Sequence, residues 1–131
     1  MEDLMLIEIL KELQKKYQHI VEIERITREM GDSLSRNDRT SVQMQISMRQ
    51  DEMDNADNCD KKIRILLAAV PLTEADSIRK WMKGNNTVIP DSAAAEKIFE
   101  KGSWIQAALK RTIDIDRHIC TRLAGSNSFY K

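Results

Sequence analysis

Four carboxylates, Asp51, Asp54, Asp57 and Asp60, recur every third residue in the middle of the chain. A carboxylate metal site needs ligands that converge, commonly with His on a facing helix. A three-residue repeat instead drifts around a helix and presents a solvated acidic face. Asp114, Asp116 and His118 form a second polar knot, in which Asp114 and His118 share a helical face and Asp116 points elsewhere. A local Asp–His hydrogen bond accounts for that spacing without a bound ion. His19, with Glu22 and Lys15 nearby, reads as exposed surface. Neither thiol has a base. Cys59 sits beside Asp57 and Asp60, whose charge raises its pKa, and Cys120 has Arg117 and Arg122 near it beside an apolar stripe. The chain has no Walker loop, GxGxxG or HExxH. These residues predict no enzyme, no metal and no cofactor.

The totals narrow the class further. The 131 residues are 41% hydrophobic and 32% charged, with 5% aromatic residues, 4 Gly and 2 Pro. That balance fits a helical protein with a charged surface better than a sandwich or barrel. Lys plus Arg equals Asp plus Glu, so the basic excess of a nucleic-acid binder is missing. Two distant cysteines with no CxxC unit suit a reducing compartment, both packed as small apolar groups. The acidic start Met1-Glu2-Asp3 lacks a signal-peptide pattern, and no stretch approaches the roughly 20 apolar residues of a membrane span. The expectation is a cytoplasmic protein.

Two long heptad stripes must position everything else. The first is Leu6, Leu10, Leu13, Tyr17, Ile20, Glu24, Thr27; the second is Val42, Ile46, Arg49, Met53, Ala56, Asp60, Ile63, Leu67, Val70. Alternating steps of three and four place each set on one side of a helix. The break at Ser35-Arg36-Asn37-Asp38 is short enough to force an antiparallel hairpin. Asn37 or Asp38 caps the second helix, and Pro71 closes it. Thr73-Glu74-Ala75-Asp76 resembles a capping box for a short helix. A third stripe follows Pro90: Ile98, Gly102, Ile105, Leu109, Thr112, Asp116, Ile119, Leu123. The prediction is an all-α elongated bundle, one domain over 1–125 with helices at about 3–34, 38–70, 73–83 and 91–124. A flexible tail over 126–131 follows Gly125.

With the turn centred near Arg36 and Asn37, Glu24 faces Arg49, Ile20 faces Met53, Tyr17 faces Ala56 and Leu10 faces Ile63. Glu24 and Arg49 are then a register pair across the seam, or two heads that snorkel to water over apolar stems. Both hairpin helices carry a second stripe, Ile9, Ile23, Ile26, Met30 and Met44, Met48, Cys59, Leu66. Two stripes imply two neighbours, and the third long helix supplies one. Met44, Met48 and Met53 lie in one short run. Core filling is the simpler reading; an adaptable surface for a partner helix is the functional one. Trp81 and Trp104 either anchor the short helix onto the last one, the simpler reading, or serve as hot-spot residues at an interface.

The run Leu6…Leu10…Leu13…Tyr17, then Met30 to Asp38, then Met48-Arg49-Gln50-Asp51-Glu52-Met53-Asp54 with Asp57 and Asp60, resembles the FlgN-type flagellar export chaperones. The resemblance covers mainly the first 70 residues. It implies a chaperone that binds the disordered carboxy-terminal segments of hook–filament junction proteins and delivers them to the type III export apparatus. It implies substrate contact on the carboxy-terminal helix, which maps to Ile105, Leu109, Ile113, Ile119 and Leu123. The competing expectation is a structural or adaptor coiled coil that forms a homo-oligomer through its stripes. In both cases the partner is protein.

Overall fold

The computed structural model describes residues 3–126, with side chains from Leu4 to Arg122. The expected tail beyond 126 lies outside the described residues. Four helices account for most of the described residues: α1, Asp3–Ser35; α2, Arg39–Ala68; α3, Leu72–Met82; and α4, Ala93–Ser126. No strand occurs among the described residues. The architecture is all-α, with the helices packed into a bundle.

Each boundary has a local cause. At the end of α1 the Asp38 amide donates to the Ser33 carbonyl at 2.9 Å and the Asn37 amide to that of Leu34 at 3.1 Å. Asn37 holds φ 57°, the left-handed residue this Schellman closure requires. Asp38 then accepts the Ser41 amide at 3.1 Å and its hydroxyl at 2.6 Å, which caps α2. Those bonds to Ser41 hold the Asp38 carboxyl below its ordinary pKa. The helix α2 stops at Ala68, short of the expected 70, because the residue before a proline resists the helical region. The capping box at Thr73 does not form. The helix α3 starts at Leu72 with Pro71 as N-cap and no side-chain cap. Ser92 accepts the Ala95 amide at 3.1 Å and so caps α4. That helix continues to Ser126, which leaves Gly125 inside it rather than at its stop.

The hairpin returns the chain to the end where α1 began, so α4 must leave from that end and run parallel to α1. The cross-contacts show this path. Trp104 meets Tyr17, Arg111 meets Glu24, Ile119 meets Gly31 and Arg122 meets Ser35. Both partners advance together along the two helices. Thus α1 lies between α2 and α4, and α3 packs on α4. The wide apolar face of α1 follows from having two neighbours: Leu6, Ile9, Leu13, Ile20, Ile23, Ile26 and Met30 are all buried. Each such side chain contributes about 1.5–3 kcal/mol by leaving water.

The second stripe of α2 finds no such neighbour. Cys59 is buried, but Met44 is 61% and Met48 39% exposed. The expected second contact of α2 is therefore missing over its first half. Trp81 is buried, and its indole donates to the Val88 carbonyl at 2.6 Å. It anchors α3 as expected. Trp104 does not share that role, being 43% exposed.

Candidate protein-binding cleft

Arg49 connects α2 to α4. Its guanidinium donates to Asp116 of α4 at 2.9 Å and to the Thr27 hydroxyl of α1 at 3.2 Å. Otherwise α2 and α4 make little contact, each packing along α1. Among the described residues one long side chain thus links α2 to α4 across the cleft between them, whose floor is α1.

Helical spacing from this bridge fixes what lines the cleft. On α2, Ile46 lies one turn before Arg49 and Met53 one turn after it; they are 49% and 41% exposed. On α4, Ile113 lies one turn before Asp116 and is 49% exposed, with the half-buried Leu109 a turn deeper. Three large apolar side chains therefore face water on the two walls. Isolated exposed apolar residues are ordinary, but a set on facing walls is the pattern of a binding groove.

The register pair of Glu24 and Arg49 does not form. Glu24 is held by Arg111 through two bonds, 2.9 and 3.1 Å, and by Arg28 at 3.0 Å. The Arg111 bonds, followed by those from Arg28, keep its carboxyl below the ordinary pKa against the opposing effect of burial. Glu24 lies on the side of α1 that faces α4, whereas Arg49 reaches Thr27, one turn further along α1. Both charged seam residues thus take an ionic partner from α4, Glu24 sharing its carboxylate with Arg28 of α1 as well. Hairpin arithmetic has no way to include a third helix. Tyr17 packs its ring on Trp104 of α4, with centroids 5.7 Å apart at 50°, and also lies against the core cluster that contains Ala56. His19 is not free surface either: its Nδ1 lies 2.7 Å from Glu52 of α2.

The residues expected to contact a partner fall into different environments. Ile105 is 1% and Ile119 8% exposed, so both serve the interface with the rest of the bundle. Leu109 is half-buried at the cleft and Ile113 is open to it. The Leu123 side chain lies outside those described. Sequence reasoning assigns Ile46 and Met53 to the hairpin seam and so misses them as cleft residues.

The opposite side of α4 has a different character. A depression of about 510 Å³ lies between Arg28, Gly31 and Asp32 of α1 and Asp114, Ile115, His118, Ile119 and Arg122 of α4. A smaller one of about 230 Å³ is lined by Tyr17, Trp104, Ala107 and Arg111. Lys101 lies 4.0 Å from the Trp104 ring centroid, a cation–π contact. The Glu24–Arg111 ion pair and the Arg122–Ser35 bond cross this seam within the chain. The α2–α4 cleft, with one bridge and bare apolar walls, is the stronger candidate.

Burial first, then the Glu12 charge, pushes the Cys59 thiol up, which disfavours the reactive thiolate. Cys120 is exposed rather than packed as expected. Among the described residues no group of three His, Cys, Asp or Glu is placed to hold a metal ion. No helix among them is long and apolar enough to cross a membrane. Comparison with protein-family models, with curated proteins and with solved structures finds no match.

Proposed function

We propose that this chain is a cytoplasmic, non-enzymatic chaperone whose α2–α4 cleft receives a segment of a client protein, disordered when free and helical when bound. The observation that carries the reading is the exposure of Ile46, Met53 and Ile113 on facing walls that, among the described residues, the Arg49–Asp116 ion pair joins. A segment that folds on binding can lay an amphipathic helix between two such walls and cover them. Methionine suits the task, since its flexible thioether adapts to different partners. The resemblance to FlgN-type proteins names the client as the carboxy-terminal segment of a hook–filament junction protein, and delivery to the export apparatus as the outcome.

The test is titration of the chain with those segments, followed by calorimetry and by size measurement. A one-to-one complex, weakened at least about tenfold by Met53→Asp with Ile113→Asp, is the expected result. A stable homodimer that ignores the segments would overturn the chaperone reading. The self-associating adaptor then takes its place, and one feature favours it: Leu4, Ile65, Leu72 and Ile89 are 71–80% exposed, at the end of the bundle where α1 begins and α2 finishes.

A further inference from the structure

The two halves of α2 are held to α1 by different chemistry. The line of α2 that meets α1 runs through Val42, Gln45, Arg49 and Glu52 at steps of three and four, and continues into Ala56, Cys59 and Ile63. The last three are buried, together with Leu67, whereas among the described residues of α2 none from Arg39 to Asn55 is buried. In that first half the line is mostly polar and its ties are individual contacts. The Arg49 guanidinium donates to the Thr27 hydroxyl and to Asp116, and Glu52 meets the Nδ1 of His19 at 2.7 Å. Two buried polar atoms in this part of the hairpin have no hydrogen-bond partner, Gln45 Oε1 on α2 and Ser33 Oγ on α1. Each is a cost to the closed seam. The main apolar core stops short of this region, reaching Ile23 on α1, Ala56 on α2 and Ala108 on α4.

We propose that residues 39–55 of α2 form a strap, fastened at Arg49 and Glu52, that unwinds from α1 as one unit while the rest of the bundle stays folded. A region with few buried apolar contacts opens at lower free energy than the core it adjoins, and the boundary here falls at Ala56. The strap cannot swing out as a rigid rod, because the bonds from the Asn37 and Asp38 amides tie its start to the end of α1. It opens instead as a loop held at Ser35 and Ala56, and the entropy of closing such a loop grows only slowly with its length. The rest of α1 keeps its place without the strap. Arg111 still holds Glu24, Ile119 still lies against Gly31 and Arg122 still bonds Ser35, all three from α4. Opening uncovers the α1 surface at Thr27 and releases Asp116. The inference stands on the α1–α2 seam alone and does not depend on what the cleft receives.

Amide hydrogen exchange of the full chain, corrected for intrinsic rates, tests this. In the parent, amides 43–55 are expected to exchange at least about tenfold faster than amides 60–67. Added salt should widen that gap by weakening the ionic fastening. Arg49→Met and Asp116→Asn should each speed exchange over 43–55 by about three- to fivefold and leave 60–67 unchanged. Asp116 lies on α4, so its effect on α2 amides cannot come from the helix propensity of α2. Gln45→Leu, which removes the unpartnered oxygen, should slow exchange over 43–55 by about threefold. A thermal melt verifies that each variant folds, and the parent's gap with its salt response decides the matter where one does not. Uniform protection along α2 overturns the strap, as does exchange that rises equally over 43–55 and 60–67 in Arg49→Met and Asp116→Asn. Exchange over 43–55 that ignores both substitutions overturns the fastening at Arg49, and the proposal with it.

Discussion

Gly102 is where α4 approaches α3 most closely, and replacing it by Ala gives a sharp test of the packing. A Cβ at that position would lie 2.4 Å from the Trp81 carbonyl oxygen and 2.5 Å from that of Met82. Both are backbone atoms, so no rotamer change relieves the contact. The end of α3 is also fixed from within. The Gly84 amide donates to the Trp81 carbonyl at 2.9 Å and the Asn85 amide to that of Lys80 at 2.9 Å, while the Trp81 indole is tied to Val88. The two helices must therefore separate, which costs about 1–3 kcal/mol as overpacking does elsewhere. Against this, Ala in a helix interior is favoured over Gly by about 1 kcal/mol. With backbone on both sides of the clash the upper half of the cost applies, for a net loss of about 1–2 kcal/mol. In a chain of this length that lowers the melting temperature by about 4–8 °C. Thermal melting followed by helical circular dichroism reads the shift. In a Trp104→Phe background, the emission of Trp81 should also move to longer wavelength as α3 loosens. A Gly102→Ala chain that melts at or above its parent, with Trp81 emission unchanged, refutes the close approach.

The second glycine at a helix contact should respond in the opposite sense. At Gly31 an added Cβ would stand 3.4 Å from the Ile119 Cδ1, an ordinary contact, so Gly31→Ala should gain about 0.5–1 kcal/mol from backbone entropy; a loss in the same melt would show that α4 packs closer than described. Two residues expected to share a partner role should differ in stability. Ile105→Ala, at 1% exposure, should cost about 2–5 kcal/mol, and Ile113→Ser, at 49%, under about 1 kcal/mol, as denaturant midpoints would show. Acid titration probes Glu24. Its folded pKa is lowered by Arg111, so its stabilisation is complete above the unfolded carboxylate value and disappears as pH falls through the lower folded value. Glu24→Gln should therefore flatten the acid limb of the stability profile below about pH 4.5, with Glu22 and Asp38, also lowered, supplying what remains. In double-mutant cycles Glu24 should couple to Arg111 and not to Arg49. A larger coupling to Arg49 would restore the pairing that hairpin geometry alone suggests.

The helices are legible in the sequence because their signals are local. Apolar steps of three and four mark α1, α2 and α4, and Asn37-Asp38 supplies both a left-handed closure and a cap within two residues. The neighbours of each face are not legible in the same way. Periodicity says that a side of α1 is apolar; it does not say whether Glu24, at the edge of that side, turns to α2 or to α4. Long charged side chains choose partners by reach in space, and the choice here depends on the parallel path of α4. That path also explains the cleft. Trp104, Arg111, Ile119 and Arg122 all engage α1, so α4 follows α1 along its length, and among the described residues Arg49 alone bridges from α2 to α4 by an ion pair. Had α4 settled into the hairpin groove between α1 and α2, the stripe of Ile46 and Met53 would have been buried as core. The same residues that look like ordinary core filling in the sequence are exposed because α4 makes its contacts elsewhere. The two walls that α4 and α2 form together, rather than the last helix alone, are therefore where the proposed client helix would make the contact that the chain itself does not make.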